Sequence, residues 1–314
     1  MSIVDRKWDT VSTDCCICNA NNTSELWIKN SFHYVKCNIC GLIYVNPRLT
    51  MDEVLTIYKY GFQSKLNKKE KESDQSKYYK LIKTFKIFRK NNRILDIGCF
   101  NGVFLKGAKE LGWDIYGSEI SSEAAEFAFQ KTNGGDIRVG TLENISFEND
   151  FFDVVVLLDV IEHLPNPFKT LNEINRILRP GGLLYFDTPN FNSLERYIQN
   201  KSLHIIFPWH FYYFTKDTVR KLLYKTDFKD ISCYSVGFGS FSTFNPMKGL
   251  QEKGNIAGAN SMIRQKLSKI KKFRYIVIVY RTLKDFVYLF FRLLSKVGVN
   301  IGSHLIVSAI KPTK

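Results

Sequence analysis

Residues Arg93 to Leu105 read RILDIGCFNGVFL, and the order of residue types in this stretch decides the fold. An apolar pair, Ile94 and Leu95, leads to an acid, Asp96, then to a glycine turn at Gly98 and Gly102, then to a new apolar run from Val103. Glycines between a strand and a helix let the backbone approach a ligand closely, and the helix N-terminus favours negative groups. One βα unit later, residues 113–120 read WDIYGSEI, a second strand that ends in Glu119. An acid at that place suits a ribose diol.

Outward from this stretch, strands are predicted over 93–97, 113–119, 136–139, 152–158 and 182–188, with helices over 103–112, 121–132 and 168–178. Alternation of this length implies parallel strands joined by right-handed crossovers. A helix over 215–226, a strand over 229–236 and a last strand, HLIVSAI at 304–310, complete the set. Tyr78, Leu81, Ile82, Phe85 and Phe88 recur at helical spacing and predict a helix covering the sheet. Residues 64–77, SKLNKKEKESDQSK, are charged and poor in apolar groups, and read as a linker or an exposed helix.

DIGCFNG, the acid Glu119 and the run FFDVVVLLDVIEHLPNPFKTLNEINRILRPGGLLYFDTPN (151–190) together resemble the class I S-adenosylmethionine-dependent methyltransferases, in particular the branch acting on small molecules and sugars in bacteria. The likeness covers roughly 91–240 and resumes at the C-terminal strand. It implies an α/β, Rossmann-like sheet, mostly parallel with the last strand antiparallel, and S-adenosylmethionine as cofactor. Asp96, Gly98 and Gly102 would shape the methionine end and Glu119 would hold the ribose. Thr141 and Leu142 would border the adenine, and Asp159 would close the fourth strand over the site. Two positions depart from the family pattern. Phe100 stands where a glycine is usual, and Thr141 where an acid often holds the adenine amino group. On the acceptor side His163 and His210 are the candidate general bases, with His204 nearby on the segment of His210; histidine titrates in the range such work needs. A divalent cation on Asp159, Glu162 and His163 is the alternative.

Seven cysteines is an odd number, which argues against a secreted disulfide framework. Four of them form matched pairs, Cys15-x2-Cys18 and Cys37-x2-Cys40, and Gly41 permits a tight knuckle. Such pairs present four thiolates to one structural zinc ion and leave no open coordination position for catalysis. Cys16 and His33 are rival ligands.

The net charge is +15, and residues 261–314 hold twelve Lys or Arg against the single acid Asp285. A concentrated basic stretch attracts polyanions. Within the insertion at 240–300, Phe286, Leu289, Phe290, Leu293 and Leu294 follow helical spacing, which suits either a lid on the sheet or an anionic membrane surface. No apolar run approaches the ~20 residues of a membrane span, and the N-terminus lacks a signal-peptide core. The chain therefore divides into a zinc-binding module (1–48), a charged linker and covering helix (49–90), a cofactor-binding domain (91–239), a basic helical insertion (240–300) and the final strand with its tail (301–314). The expectation is a cytoplasmic enzyme, at the inner membrane surface if the insertion docks there. It would methylate a small-molecule acceptor, a sugar or glycan precursor hydroxyl in polysaccharide or secondary-metabolite assembly. An RNA methyltransferase is the alternative, disfavoured by Asp159-Val160-Ile161-Glu162 in place of a base-methylating tetrapeptide. A non-catalytic, membrane-associated binding protein is the third reading.

Overall fold

The computed structural model describes residues 8–57, 72–199, 206–237, 286, 289–291, 293–294 and 297–313. Most of the 240–300 insertion, and His204, lie outside the described residues. The N-terminal part builds five short strands: β1 (Thr10–Val11), β2 (Thr23–Lys29), β3 (Phe32–Cys37), β4 (Ile43–Val45) and β5 (Arg48–Leu49). A helix α1 (Glu72–Thr84) then begins inside the stretch read as a linker or exposed helix, with the polar turn 72–77 leading into the apolar positions from Tyr78. The alternating region gives β6 (Arg93–Ile97), α2 (Val103–Glu110), β7 (Asp114–Glu119), α3 (Ser122–Lys131), β8 (Asp136–Val139) and β9 (Phe152–Leu158). It continues with α4 (Pro167–Ile177), β10 (Leu178–Pro189), α5 (Leu194–Gln199), β11 (Tyr212–Tyr213), α6 (Lys216–Lys225), β12 (Lys229–Val236) and β13 (His304–Ile310).

Seven strands form one sheet in the order β12-β13-β10-β9-β6-β7-β8. Neighbours from β10 to β8 are parallel, and Asp96 sits between Gly117 and Val156 in register. The last strand is antiparallel: Gly181 and Gly182 exchange backbone bonds with Lys311, while Asn190, further along β10's direction, bonds back to Ser303. The core strand β9 is buried over residues 152–157; Val154–Leu157 are apolar without a break, as a strand covered on both faces requires, and Asp153 is the one buried charge. Ile82 and Phe85 from the α1 side, Phe104 and Leu105 from α2, and Val154 and Val156 from β9 share one cluster, so the predicted covering helix packs on the sheet.

Two compact units emerge. One comprises Met1–Pro189, Lys201–Cys233 and Leu305–Lys314; the other comprises Asn190–Asn200 and Tyr234–His304. Within the second, the Asn190 side-chain amide donates to the carbonyls of Asn300 (3.0 Å) and Gly302 (2.7 Å). Phe286, Leu289, Phe290 and Leu293 are exposed there, whereas Phe291 is buried.

Under the N-terminal edge of the large sheet, Asp153 is fully buried and takes four donors. The amides of Lys90, Asn91 and Arg93 reach its Oδ2 at 3.0, 2.8 and 3.3 Å, and Arg179 Nε reaches its Oδ1 at 2.6 Å. This carboxylate pins the entry of β6 to the strands beside it.

Candidate functional site

At the C-terminal edge of β6, the turn carries Gly98 (φ 70°) and Gly102 (φ 72°). A Cβ on Gly98 would meet Val160 Cγ2 at 2.7 Å, and one on Gly102 would meet the Ala128 Cα at 2.9 Å. Conformation and packing both demand glycine at these two positions. Phe100 lies between them with φ 46°, which explains the glycine usual at this place; a side chain there costs about 1–2 kcal/mol. The Phe100 amide donates to Glu119 Oε2 at 2.9 Å, and the Ser121 amide donates to Glu119 Oε1 at 3.0 Å. Glu119 therefore ties the glycine turn to the start of α3, a structural task beside any role toward a ribose. The Gly140 amide donates to the Glu119 carbonyl at 2.8 Å, which sets Thr141 and the buried Leu142 beside Glu119 on the same edge.

Acids dominate this edge. Burial raises the Asp96 carboxyl well above the ordinary carboxylate range, and the charges of Glu119 and Asp187 add to it. Burial also raises Glu119, against the pull of the Ser121 and Phe100 amides. Asp187, at the end of β10, is pushed up to about 7 by burial and then by Asp159, with Lys77 opposing. The Asp159 amide donates to Asp187 Oδ1 at 2.8 Å, and Asp159 itself adopts φ 54°. Carboxyls that push one another toward the neutral form favour a cationic ligand, which lets them ionise. Asp187 belongs to this set and was not among the residues singled out from sequence; its only signal was an acid closing the fifth strand, FDTP.

Replacing Glu119 with alanine removes both backbone anchors, together with the ribose contact that the resemblance implies. The expected result is a rise of about tenfold or more in the S-adenosylmethionine dissociation constant, measured by calorimetry. Unchanged affinity would remove the ribose assignment.

A second cluster lies beyond β9. One ligand atom each from Glu162, His163 and His210 lies within 4.8 Å of the others. Glu162 is 1% exposed, and its Oε2 accepts from Thr188 Oγ1 at 3.0 Å. Burial first, then the Asp159 charge, raises its carboxyl well above the ordinary range. His163 Nδ1 lies 2.7 Å from the Trp209 carbonyl. A carbonyl only accepts, so Nδ1 carries the proton and Nε2 carries the lone pair. That Nε2 lies 3.9 Å from Glu162 Oε1, where an imidazolium would draw the buried carboxyl back toward its ionised form. His210 is buried and meets the His163 ring edge-on, centroids 4.5 Å apart. Phe207 and Trp209 stack beside them at 4.7 Å. The structure thus groups His163 and His210, the two histidines predicted from sequence. Of the residues in the cation reading, Glu162 and His163 fall in one group of converging ligand atoms, and the third member of that group is His210.

In the N-terminal module, the sulfurs of Cys15 and Cys40 lie 3.3 Å apart, those of Cys18 and Cys37 lie 3.4 Å apart, and all four lie within 4.8 Å. Zinc–thiolate bonds of about 2.3 Å put tetrahedral sulfurs about 3.8 Å apart, so this set fits one ion. The rivals stand aside. The His33 ring bonds Glu25 at 2.5 Å on the surface, and Cys16 is not part of the sulfur cluster.

A family profile described as "Methyltransferase domain" matches residues 71–233, just over half of the chain. Ubiquinone biosynthesis O-methyltransferase of Paraburkholderia phymatum is 32% identical over 106 residues, covering 32% of this chain and 45% of that protein. The Roseobacter denitrificans protein of the same name is 36% identical over 107 residues, covering 33% and 43%. The chain thus spans less than half the length of these relatives. A solved S-adenosylmethionine-dependent methyltransferase from Archaeoglobus fulgidus superposes with a TM-score of 0.50 at 19% identity, over 81% of this chain and all of that one. That likeness shows the fold. The acid-lined glycine turn, the strand order and the profile match together place the chain in the methyltransferase-domain family, among the class I S-adenosylmethionine-dependent methyltransferases.

Proposed function

We propose that this protein transfers the methyl group of S-adenosylmethionine to a hydroxyl oxygen of a small molecule. The observation that carries the reading is the Glu162–His163–His210 cluster at the strand edge next to the acid-lined cradle. The cofactor's sulfonium is cationic, so its arrival relieves the mutual repulsion among Asp96, Glu119 and Asp187. Asp96, Gly98 and Gly102 take the methionine end, Glu119 the ribose, Thr141 and Leu142 the adenine, and Asp159 closes the site. Bound S-adenosylmethionine would supply the methyl group, and His163 Nε2 would take the proton of the acceptor hydroxyl as its oxygen is methylated. Glu162 then faces the imidazolium. A site that binds and orients both reactants away from water supplies the rest of the rate.

The donor set of Glu162, His163 and His210 also suits a divalent cation, which would polarise the acceptor oxygen when bound. Cys15, Cys18, Cys37 and Cys40 hold a structural zinc ion. The relatives are named O-methyltransferases, which supports an oxygen acceptor. The acceptor is read as a sugar or glycan precursor, whose C–H face can lie against an aromatic ring such as Phe207 or Trp209 beside a histidine base. The exposed Phe286, Leu289, Phe290 and Leu293, with the basic residues around them in sequence, support peripheral contact with anionic membrane. No helix among the described residues is long and apolar enough to cross a membrane.

The test is transfer of a labelled methyl group to a panel of nucleotide-sugars, glycan extracts, phenols and RNA. Label on a sugar hydroxyl is the expected result. Label on phenols keeps the O-methyl reading and overturns the sugar, and label on RNA overturns both.

A further inference from the structure

β11, the two residues that follow His210 and Phe211, does not join the large sheet. It is the edge strand of the N-terminal module, in the order β11-β4-β3-β2, with Tyr212 opposite Tyr44 and Tyr213 opposite Ile43. The Val45 amide adds a bond of 2.9 Å to the Phe211 carbonyl. On the other flank, the Phe211 amide donates to the Glu162 carbonyl at 2.8 Å. The segment carrying His210 is thus held between the cysteine module and the turn carrying Glu162 and His163.

The module's grip depends on the knuckle. Cys37 ends β3 and Cys40 precedes β4, so the turn that aligns these strands is the one whose sulfurs converge. The Cys37 amide donates to the Leu42 carbonyl at 2.8 Å, and the Gly41 amide to the Cys37 carbonyl at 3.0 Å. Lys221, from α6 just beyond the segment, donates to the Cys40 carbonyl at 2.8 Å. Arg48 follows β4 in sequence, and its guanidinium lies 4.6 Å over the Phe211 ring. β4 is three residues long and meets β3 at only three register positions, Val45, Tyr44 and Ile43. Four thiolates around one ion fix the turn that a free knuckle would leave loose.

We propose that the cysteine module is a clamp: zinc on Cys15, Cys18, Cys37 and Cys40 holds β4, β4 holds β11, and β11 sets the position of His210 against His163. The module is then a positioning element for the acceptor side and leaves the cofactor cradle independent of the metal. This rests on the reading of the two histidines as acceptor-side groups, but its physical content, metal-dependent order at 207–214, is measured apart from activity.

The experiment is hydrogen–deuterium exchange on the full chain. It compares zinc-loaded protein, protein stripped by a chelator, protein with zinc restored, and the Cys37→Ser/Cys40→Ser variant, with zinc content measured for each. Stripping is expected to speed exchange across 207–214 by about tenfold or more, with 93–97 and 114–119 unchanged, and zinc is expected to reverse it. The S-adenosylmethionine dissociation constant should stay within about twofold, while kcat falls about tenfold. If 207–214 keeps its protection in zinc-free protein, the clamp is overturned. It is equally overturned if exchange rises everywhere and cofactor affinity falls with it. Should exchange behave as expected while kcat does not change, the clamp stands and the acceptor-side role of His210 falls.

Discussion

His163→Ala is expected to lower kcat by about 10²–10⁴-fold while the S-adenosylmethionine dissociation constant hardly changes. The loss is large because, among the described histidines, His163 combines three conditions. Its tautomer is set by the Trp209 carbonyl at 2.7 Å, its lone-pair nitrogen faces Glu162 at 3.9 Å, and its side chain keeps 18% exposure, enough to meet a substrate. His210 is more deeply buried, at 8%, and offers His163 a ring edge. His210→Ala is therefore expected to cost less in kcat than His163→Ala. Single-turnover rates with a reactive acceptor decide the matter. A kcat for His163→Ala within a factor of about two of the parent would remove it as the base.

Asp153→Ala is expected to cost about 3–5 kcal/mol of stability, the loss typical when one partner of a buried ion pair is removed. Arg179 is 7% exposed and would keep a buried charge without its carboxylate, and the amides of Lys90, Asn91 and Arg93 would lose a shared acceptor. The change lies at the opposite end of β6 from Asp96, so cofactor affinity of the folded variant should hold. Urea unfolding followed by circular dichroism measures the effect. A loss below about 1 kcal/mol would mean that the amides find water as a replacement acceptor.

How much was legible in the sequence differs by kind of interaction. The strands at 136–139, 152–158, 229–236 and 304–310 were read at their observed bounds: Val154–Leu158 and Leu305–Val307 are apolar runs, while 136–139 and 229–236 follow from their place in the strand–helix alternation. Gly98, Gly102 and the paired cysteines were legible because their residue types are scarce and their spacing is short-range. What stayed hidden is non-local. Nothing in Tyr212-Tyr213 announces that these residues extend a sheet built around residues 23–45. The meeting of His210 with Glu162 and His163 follows from a loop that returns to residues far earlier in the chain, which periodicity does not encode. Glu119 looked like a ligand for a ribose; that its two oxygens also brace the Phe100 and Ser121 amides depends on a backbone path no side-chain pattern reports.

The place of β13 has a consequence for how the chain is made. It lies between β12 and β10, both of which leave the ribosome well before it. At about 5–20 residues per second, translation needs on the order of ten seconds to travel from Val236 to His304. For that interval the nascent sheet has a gap with two bare hydrogen-bonding rims, each able to capture a neighbouring chain on a polysome. Slow growth temperature or sparse chaperone would lengthen that exposure, and yield in recombinant expression should track it more closely than it tracks the stability of the finished protein.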